Sequence, residues 1–370
     1  MESENTYADA IDKLNLLQSG FAVLEERRKM GLKMDGSAVV EMRQWARRIG
    51  YAPTDFDRLN IVHVAGTKGK GSACAYLNSI LTAYHETVGL PKKIGLYTSP
   101  HLIAVRERIR INSEPISESL FTKYFFEVWD ALERSAVEQG LDPKHKPVYF
   151  RFLTLMSFHV FMREGVDAAM YEVGVGGEWD STNIIEQPVA TGITTLGIDH
   201  TEVLGETIDK IAWHKAGIFK PGCPAFTVAQ LPAAVEVLEQ RAKEKNVHLQ
   251  GVAIHPALHN IKITPDEDYQ RGNASLAIVL VDSMLKRLGI PRVGGESSLP
   301  EQYVGGLERT VWRGRCETKL DGDKTWCLDG AHTKESIEIA GHWFARVALK
   351  RSPFHLQAIT ITLTPCAHVL

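Results

Sequence analysis

The sequence is poor in three features that mark specialised classes of protein. Its 42 basic residues are outnumbered by 45 acidic ones, so it lacks the positive field that sequence-independent binding to nucleic acid requires. Its five cysteines form no CxxC pair, which argues against a zinc ribbon or a dithiol redox site. No apolar run approaches the roughly 20 residues that cross a bilayer. We therefore expect no nucleic-acid partner and no transmembrane segment.

The cysteines and the first residues bear on the compartment. An odd number of widely spaced cysteines favours a reducing environment. The start MESENTYADA is acidic, and it shows neither a secretion signal nor an arginine-rich mitochondrial presequence. We expect a cytoplasmic protein, with the mitochondrion as the second location because an alternative upstream start would not be visible.

Short apolar runs alternate with helical patterns along most of the chain. Strand candidates are residues 60–65, 93–98, 168–173 and 191–198. Apolar residues at helical spacing mark residues 7–28, 72–81, 150–163, 232–245 and 273–288. This alternation is typical of an α/β fold with a mostly parallel sheet and helices on both faces.

One segment reads as a linker between two domains. Residues 291–306 are rich in Gly, Pro and Ser, and a strand-like segment with charged edges begins near Arg309. We therefore predict domains of residues 1–306 and 307–370. The second is close to the lower size at which a domain can bury a core of its own.

A glycine-rich segment, GTKGKGS at residues 66–72, lies between a predicted strand and a predicted helix. Such a loop presents backbone N–H groups and a helix N-terminus to an anion, and Lys70 would reach the β- and γ-phosphates of a nucleotide. The segment departs from the pattern GxxxxGK[ST], because Val64 replaces the first glycine and Gly71 follows the lysine. A glycine-rich turn that only caps a helix remains the alternative. The phosphate-binding residues predicted here are Gly66, Thr67, Gly69, Lys70, Gly71 and Ser72.

Further motifs give the loop a more specific context. The GTxGKGS form resembles the loop of the Mur ligase superfamily, and it is followed by YTSPHL (97–102), RERIRI (106–111), YEVGVGGEWDSTN (171–183), GIDHTEVLGETIDKIAWHKAGIFK (197–220), WRGRCE (312–317) and LDGAHT (328–333). These blocks, in this order, resemble the folylpolyglutamate synthase family, eukaryotic type. The resemblance implies a P-loop, Mur-ligase-like central domain followed by a Rossmann-like α/β domain.

The resemblance also implies site residues. In the family a magnesium ion that bridges the nucleotide phosphates is held by residues matching Ser99, Glu172 and His200, each of which follows a predicted strand. Parallel strands bring such ends to one edge of a sheet. Taken singly, each has a structural alternative: Ser99 as a helix cap, Glu172 as a solvated carboxylate and His200 as a core histidine.

Three more residues are assigned through the resemblance alone. Lys215 matches the lysine that becomes carbamylated, whereas a lysine in a helix is otherwise almost always solvated. Arg315 and Asp329 match residues of the second domain that contact ATP. We expect ATP and Mg²⁺ as cofactors, with a monovalent cation such as K⁺ as an addition.

The implied reaction is the ATP-dependent addition of L-glutamate to the γ-carboxylate of a reduced folate through an acyl phosphate, by a monomeric ligase. A dihydrofolate synthase or a bifunctional enzyme shares these motifs and stays open. The chain diverges from the family around Arg346, and it ends in a tail that we cannot place. We therefore expect an incomplete second domain, which keeps an inactive nucleotide-binding fragment as a further alternative.

Overall fold

A mostly parallel sheet forms the centre of the protein. The computed structural model describes residues 5–18, 35–292, 298–322, 324–331 and 334–349. Eight strands of this part make one sheet: β1 (Ile61–Ala65), β2 (Ile94–Tyr97), β3 (Ile109–Ile111), β4 (Glu114–Pro115), β5 (Ala168–Glu172), β6 (Ala190–Ile193), β7 (Ala225–Val228) and β8 (Leu249–Val252).

The order of the strands brings their carboxyl ends together. The sheet runs β4-β3-β2-β5-β1-β6-β7-β8. Every pair from β2 to β8 is parallel, and β3 and β4 add an antiparallel hairpin at one edge. β1 lies between β5 and β6, so the loops that leave these three strands meet at one edge of the sheet. The predicted α/β fold with a mostly parallel sheet is confirmed.

Helices cover both faces of the sheet. In the described part they are α1 (Tyr7–Asn15), α2 (Ser37–Arg48), α3 (Lys70–Val88), α4 (Glu118–Glu138), α5 (Tyr149–Glu164), α6 (Thr201–Leu204), α7 (Ile208–Lys215), α8 (Pro232–Glu244), α9 (Asp268–Leu288), α10 (Glu301–Arg309) and α11 (Lys334–Leu349). Successive side chains of a strand point to opposite faces. Tyr171 of β5 accordingly lies in the core with α2, α4 and α5, whereas Met170 lies in the core with α3, α9 and α10.

Aromatic stacking anchors α5 to the sheet. The ring of Phe158 lies 4.5 Å from the ring of Tyr171 and 4.4 Å from that of Phe56, in stacked geometry. All three rings are fully buried. Buried aromatic pairs of this kind contribute roughly 0.5–1.5 kcal/mol beyond their burial. They fix the position of β5, whose last residue, Glu172, belongs to the predicted site.

The structure corrects several predicted elements. The strand expected over 191–198 ends at Ile193, because the next main-chain groups bond to the glycine-rich loop. The strand expected near Arg309 is wrong, since Arg309 ends α10 and the next strand begins at Glu317. Of the helix expected over 7–28, α1 ends at Asn15, and residues 19–34 lie outside the described part.

The end of the described chain is a hairpin and a helix. Strands β9 (Glu317–Asp321) and β10 (Lys324–Leu328) pair antiparallel, and α11 follows them. The predicted boundary between residues 306 and 307 falls inside α10, whose Gly306 lies against Ile80 of α3. The predicted domain division stays a prediction, and the tail 350–370 lies outside the described residues. Within the described residues, no helix is long and apolar enough to span a bilayer.

Candidate nucleotide and metal site

The glycine-rich loop joins the central strand to a long buried helix. It leaves β1 after Ala65 and enters α3 at Lys70, as the sequence predicts. Gly66 and Gly69 have φ angles of 150° and 92°, a region that favours glycine. A Cβ atom on Gly66 would lie 1.8 Å from Thr194 Oγ1, and one on Gly69 would lie 2.3 Å from Asn273 Oδ1. Backbone conformation and close neighbours therefore both require these glycines.

The segment after β6 holds the loop in place. The backbone N–H groups of Thr67 and Lys68 each donate to Thr195 O at 3.0 Å. The Thr67 hydroxyl donates to Gly197 O at 3.1 Å and accepts from Gly197 N at 3.1 Å. These bonds use the N–H groups of Thr67 and Lys68. The N–H groups in the first turn of α3 have no intrahelical acceptors, so this turn is the part of the loop suited to an anion.

The two predicted catalytic lysines meet at one carbonyl oxygen. Lys70 Nζ donates to Gly66 O at 3.1 Å, and Lys215 Nζ donates to the same oxygen at 2.8 Å. Lys215 is only 3% exposed. Burial, assisted by the positive charge of Lys70, holds the pKa of Lys215 well below its usual range. The structure thus brings together two lysines that are 145 residues apart in the chain, since 215 − 70 = 145.

Two of the predicted metal ligands lie on the other side of the loop. Glu172 ends β5 with 5% exposure, and its Oε2 accepts from the backbone N–H of Ser99 at 3.1 Å. Burial raises the pKa of Glu172, while the charges of Lys70 and Arg315 and the Ser99 N–H act in the opposite direction. A buried carboxylate beside a phosphate loop is the kind of oxygen donor that Mg²⁺ takes together with water and phosphate oxygens.

His200 lies at the start of α6, in a left-handed conformation with φ 51°. Its backbone N–H donates to the Asp199 side chain at 2.9 Å, and Asp199 forms an ion pair with Lys68 of the loop at 3.7 Å. His200 is therefore tied to the Lys68 side of the loop. Among the described residues no group of three or more His, Cys, Asp and Glu side chains is placed to hold a metal.

The two residues predicted beyond the linker face each other across a turn. Asp329 accepts from Cys316 N at 2.7 Å and from Ala331 N at 2.8 Å. Arg315 donates to Gly314 O at 3.0 Å, and its charge reaches Glu172, where it favours the ionised carboxylate. Asp329 therefore shapes the turn that carries Arg315, and the charge of Arg315 acts on Glu172.

Two residues of this site escape the sequence reasoning. Asp180 is 2% exposed and accepts from Val175 N at 3.0 Å and Thr182 N at 2.9 Å. Burial raises its pKa, and Lys70 acts against that shift. Asn273 lies within α9, whose N-cap is Glu267, and its side chain lies against Gly69. The only sequence signals are the DSTN and YQRGNA segments that contain them.

The site and the sheet together define a Mur-ligase-like α/β protein with a phosphate loop. No family model matches the chain. The chain is 56% identical over 351 residues to the folylpolyglutamate synthase of Neurospora crassa, covering 95% of this chain and 66% of that protein. It is 50% identical over 350 residues to the enzyme of that name from Saccharomyces cerevisiae strain FostersO, covering 92% of this chain and 63% of that protein.

A solved structure supports the same assignment. A complex of folylpolyglutamate synthase (FPGS) with AMPPCP and folate matches with a TM-score of 0.76 and 26% identity, covering 92% of this chain and 80% of that chain. The chain belongs to the folylpolyglutamate synthase family, which confirms the resemblance found in its motifs. It spans just under two thirds of the length of the curated relatives that it matches, 66% and 63%.

The geometry of the loop predicts the effect of one methyl group. Gly66→Ala should abolish detectable binding of a fluorescent ATP analogue, because the new Cβ would collide with Thr194. Gly222→Ala is the matched control: Gly222 also has a positive φ, 76°, but a Cβ there meets nothing within 4 Å. That control should cost about 1 kcal/mol of stability and leave binding intact. Equal loss of binding in both variants would show that strain elsewhere, and not the collision, is responsible.

Proposed function

We propose that this chain is an ATP-dependent ligase that adds L-glutamate to the γ-carboxylate of a reduced folate and releases ADP and phosphate. The observation that carries the proposal is the meeting of Lys70, Lys215 and Glu172 at a phosphate loop in a chain that is 56% identical to a folylpolyglutamate synthase. The FPGS complex with AMPPCP and folate is a related protein with ligands of the same two classes.

In this proposal the phosphate loop and two residues of the second domain bind the nucleotide. Backbone N–H groups at the start of α3 and the charge of Lys70 would neutralise the β- and γ-phosphates. Arg315 would add charge from the far side, and Asp329 would hold its turn and hydrogen-bond the nucleotide. The proposed nucleotide-binding set is Gly66, Thr67, Gly69, Lys70, Gly71, Ser72, Arg315 and Asp329.

Ser99, Glu172 and His200 are the proposed holders of Mg²⁺. Glu172 is the best suited of the three. Its carboxylate is buried, interacts electrostatically with Lys70, and accepts a hydrogen bond from the backbone N–H of Ser99. When bound, the ion would offset charge on the transferring phosphoryl group. The three side chains would position the phosphates against the loop.

The reaction proceeds through two substitutions, the first at phosphorus and the second at carbon. The folate γ-carboxylate oxygen attacks the γ-phosphorus of ATP, and ADP leaves. The amine of glutamate then attacks the acyl carbon, inorganic phosphate leaves, and the nitrogen loses a proton to form the amide. Lys70 and Arg315 would favour the first step by charge, and a site closed to water would protect the acyl phosphate.

The remaining assignments complete the proposal. We take residues 1–306 as the ATP-binding part and 307–370 as the second domain, and we take the protein to act as a monomer. Three of its described cysteines, Cys74, Cys223 and Cys316, are free thiols. Free thiols suit the reducing cytoplasm, with the mitochondrion as the second location.

Glutamate transfer is the direct test. The full chain with ATP, Mg²⁺, tetrahydrofolate and labelled glutamate should incorporate label, and Lys70→Ala should lower the rate on the order of 100-fold because it removes a charge from the transferring phosphate. Lys144→Ala, at an exposed position, is the control and should not change the rate. A native chain that binds ATP without incorporating label would be an inactive fragment. Incorporation with dihydropteroate but not tetrahydrofolate would identify a dihydrofolate synthase.

Lys215 is proposed to carry a carbamate. Its lowered pKa leaves more of the amine neutral, and a neutral amine reacts with CO₂ to give a carbamate and a proton. Lys215→Arg should therefore remove a resonance that ¹³C-labelled bicarbonate adds to the NMR spectrum, and the native resonance should grow as the pH rises. Lys220, whose pKa burial lowers to about 8, gives the matched control Lys220→Arg. A resonance that survives Lys215→Arg would contradict the assignment.

A further inference from the structure

A cavity lies beside the phosphate loop and is not part of the site described above. Its volume is about 690 Å³, a size typical of sites for small organic ligands. It runs along α3 above the edge strands β2, β3 and β4, and residues 309–313 cover it. Leu96 of β2 and Arg110 of β3 are paired neighbours on the face that carries α3.

The lining of the cavity has an excess of positive charge. Four arginines and two glutamates face it: Arg106, Arg110, Arg309, Arg313, Glu107 and Glu114. The Glu107 carboxylate already accepts from the backbone N–H groups of residues 102, 103 and 104, at 3.0, 3.1 and 2.8 Å. Arg309 pairs with Glu86 at 2.9 Å, and Arg313 lies 3.6 Å from Glu317.

Arg110 is oriented by neutral carbonyl oxygens and by an aromatic ring. Its Nε donates to Glu107 O at 3.2 Å and its Nη1 to Ser113 O at 3.0 Å, and both of these acceptors are neutral carbonyl oxygens. The indole of Trp312 lies 5.7 Å from the guanidinium, in a cation–π contact. These contacts orient the guanidinium toward the cavity, where Glu107 and Glu114 offset part of its charge and its donors are suited to a carboxylate.

Buried polar atoms in the lining lack partners. Asn78 is 7% exposed and donates from Nδ2 to Ser113 Oγ at 2.8 Å, but its Oδ1 has no hydrogen-bond partner among the described residues. Arg106 Nε is buried and unpartnered in the same sense. Ser113 Oγ can donate or accept, so the Asn78 amide can turn either end toward the cavity. A buried polar atom left unpaired is costly, and a polar ligand would satisfy it.

Trp312 connects this cavity to the nucleotide site. A Cβ atom on Gly71 of the phosphate loop would lie 2.9 Å from Trp312 Nε1, and the same indole lines the cavity. Ala75, Asn78 and Ser79 continue the wall along α3. At 1.5 Å per residue, positions 71 to 79 span about 12 Å of helix. A ligand that ends at the γ-phosphate can therefore extend along α3 into the cavity.

We propose that this cavity binds the oligo-γ-glutamate tail of the acceptor, a chain that carries one free carboxylate on each residue. The inference rests on the proposed function and deepens it, because it assigns the part of the substrate that grows in each cycle. Arg110 and Arg313 would pair with tail carboxylates, and Asn78 would hydrogen-bond the tail amides. The same chemistry would take a free oligocarboxylate, which the experiment includes as a separate ligand.

Equilibrium binding in the absence of ATP and glutamate tests the proposal without requiring turnover. Calorimetry would compare pteroyl monoglutamate, pteroyl tetra-γ-glutamate and free tetra-γ-glutamate. The native chain should bind the tetraglutamate at least fivefold more tightly than the monoglutamate. Arg110→Gln should lower the affinity for the tetraglutamate about tenfold, which is the usual effect of losing one hydrogen bond to a charged group. Its affinity for the monoglutamate should be unchanged.

Two further variants separate binding from folding. Arg110 also bridges the β3–β4 hairpin, so its replacement could disturb the fold. The side chain of Arg313 is half exposed, which makes Arg313→Gln the second test. This variant should also lower the affinity for the tetraglutamate. Arg47→Gln is the matched control, an exposed arginine on α2, on the opposite face of the sheet. Free tetra-γ-glutamate should bind the native chain and lose affinity in Arg110→Gln.

The outcomes also separate this proposal from the proposed function. The cavity assignment is overturned if the native chain binds the tetraglutamate no more tightly than the monoglutamate, or if both arginine variants keep the native advantage. It stands if the advantage disappears in these variants but not in Arg47→Gln, even where no glutamate is incorporated. If the native chain incorporates glutamate but the arginine variants bind the tetraglutamate as tightly as the native chain, the proposed function stands and the tail site is contradicted.

Discussion

The amino groups of two lysines share one carbonyl oxygen, and the candidate site depends on this contact. Lys70 and Lys215 both donate to Gly66 O, at 3.1 and 2.8 Å. Like charges this close repel, and burial of Lys215 strengthens the effect because little water screens it. The half-buried carboxylate of Asp199 and the buried carboxylate of Asp180 act in the opposite direction and favour the charged form of Lys215. The charge of Lys70 and the first turn of α3 suit this position to an anion.

The fold explains how such a contact arises. β1 is flanked by β5 and β6, so the loop after β1 is held between Glu172 and the segment that begins at Thr194. α7 then returns along the same edge and brings Lys215 under the loop. The contact needs Gly66, because any side chain there would occupy the position of Thr194 Oγ1. Loop, strand end and helix are therefore one unit, and a change in any of them should affect the others.

Local sequence predicts the local part of this unit. The strand before the loop, the helix after it and the position of Glu172 at a strand end follow from short apolar runs, glycines and periodicity. The early end of β6 does not, because Thr195 is taken out of the sheet by hydrogen bonds to residues far away in the chain. The helix α10 was also missed, since Gly305 and Gly306 suggest a linker until Gly306 is seen packed against Ile80.

Long-range contacts also explain what sequence reasoning could not find. Lys215 stands out only through the family resemblance, because nothing in its own helix shows that Gly66 will lie above it. The cavity beside α3 is assembled from Arg110, Asn78 and Trp312, which come from a strand, a helix and the segment after α10. No spacing in the chain relates these three residues. Their juxtaposition depends on the complete packing of the sheet edge.

The most direct test of the central claim is calorimetric binding of ATP with and without Mg²⁺. If the phosphate loop and Glu172 form one site, Mg²⁺ should tighten ATP binding to the native chain, and Glu172→Gln should lower the Mg²⁺-dependent part by at least about tenfold. Glu138→Gln, at an exposed position near the end of α4, should behave like the native chain. Undiminished Mg²⁺ dependence in Glu172→Gln would contradict the account and place the metal elsewhere.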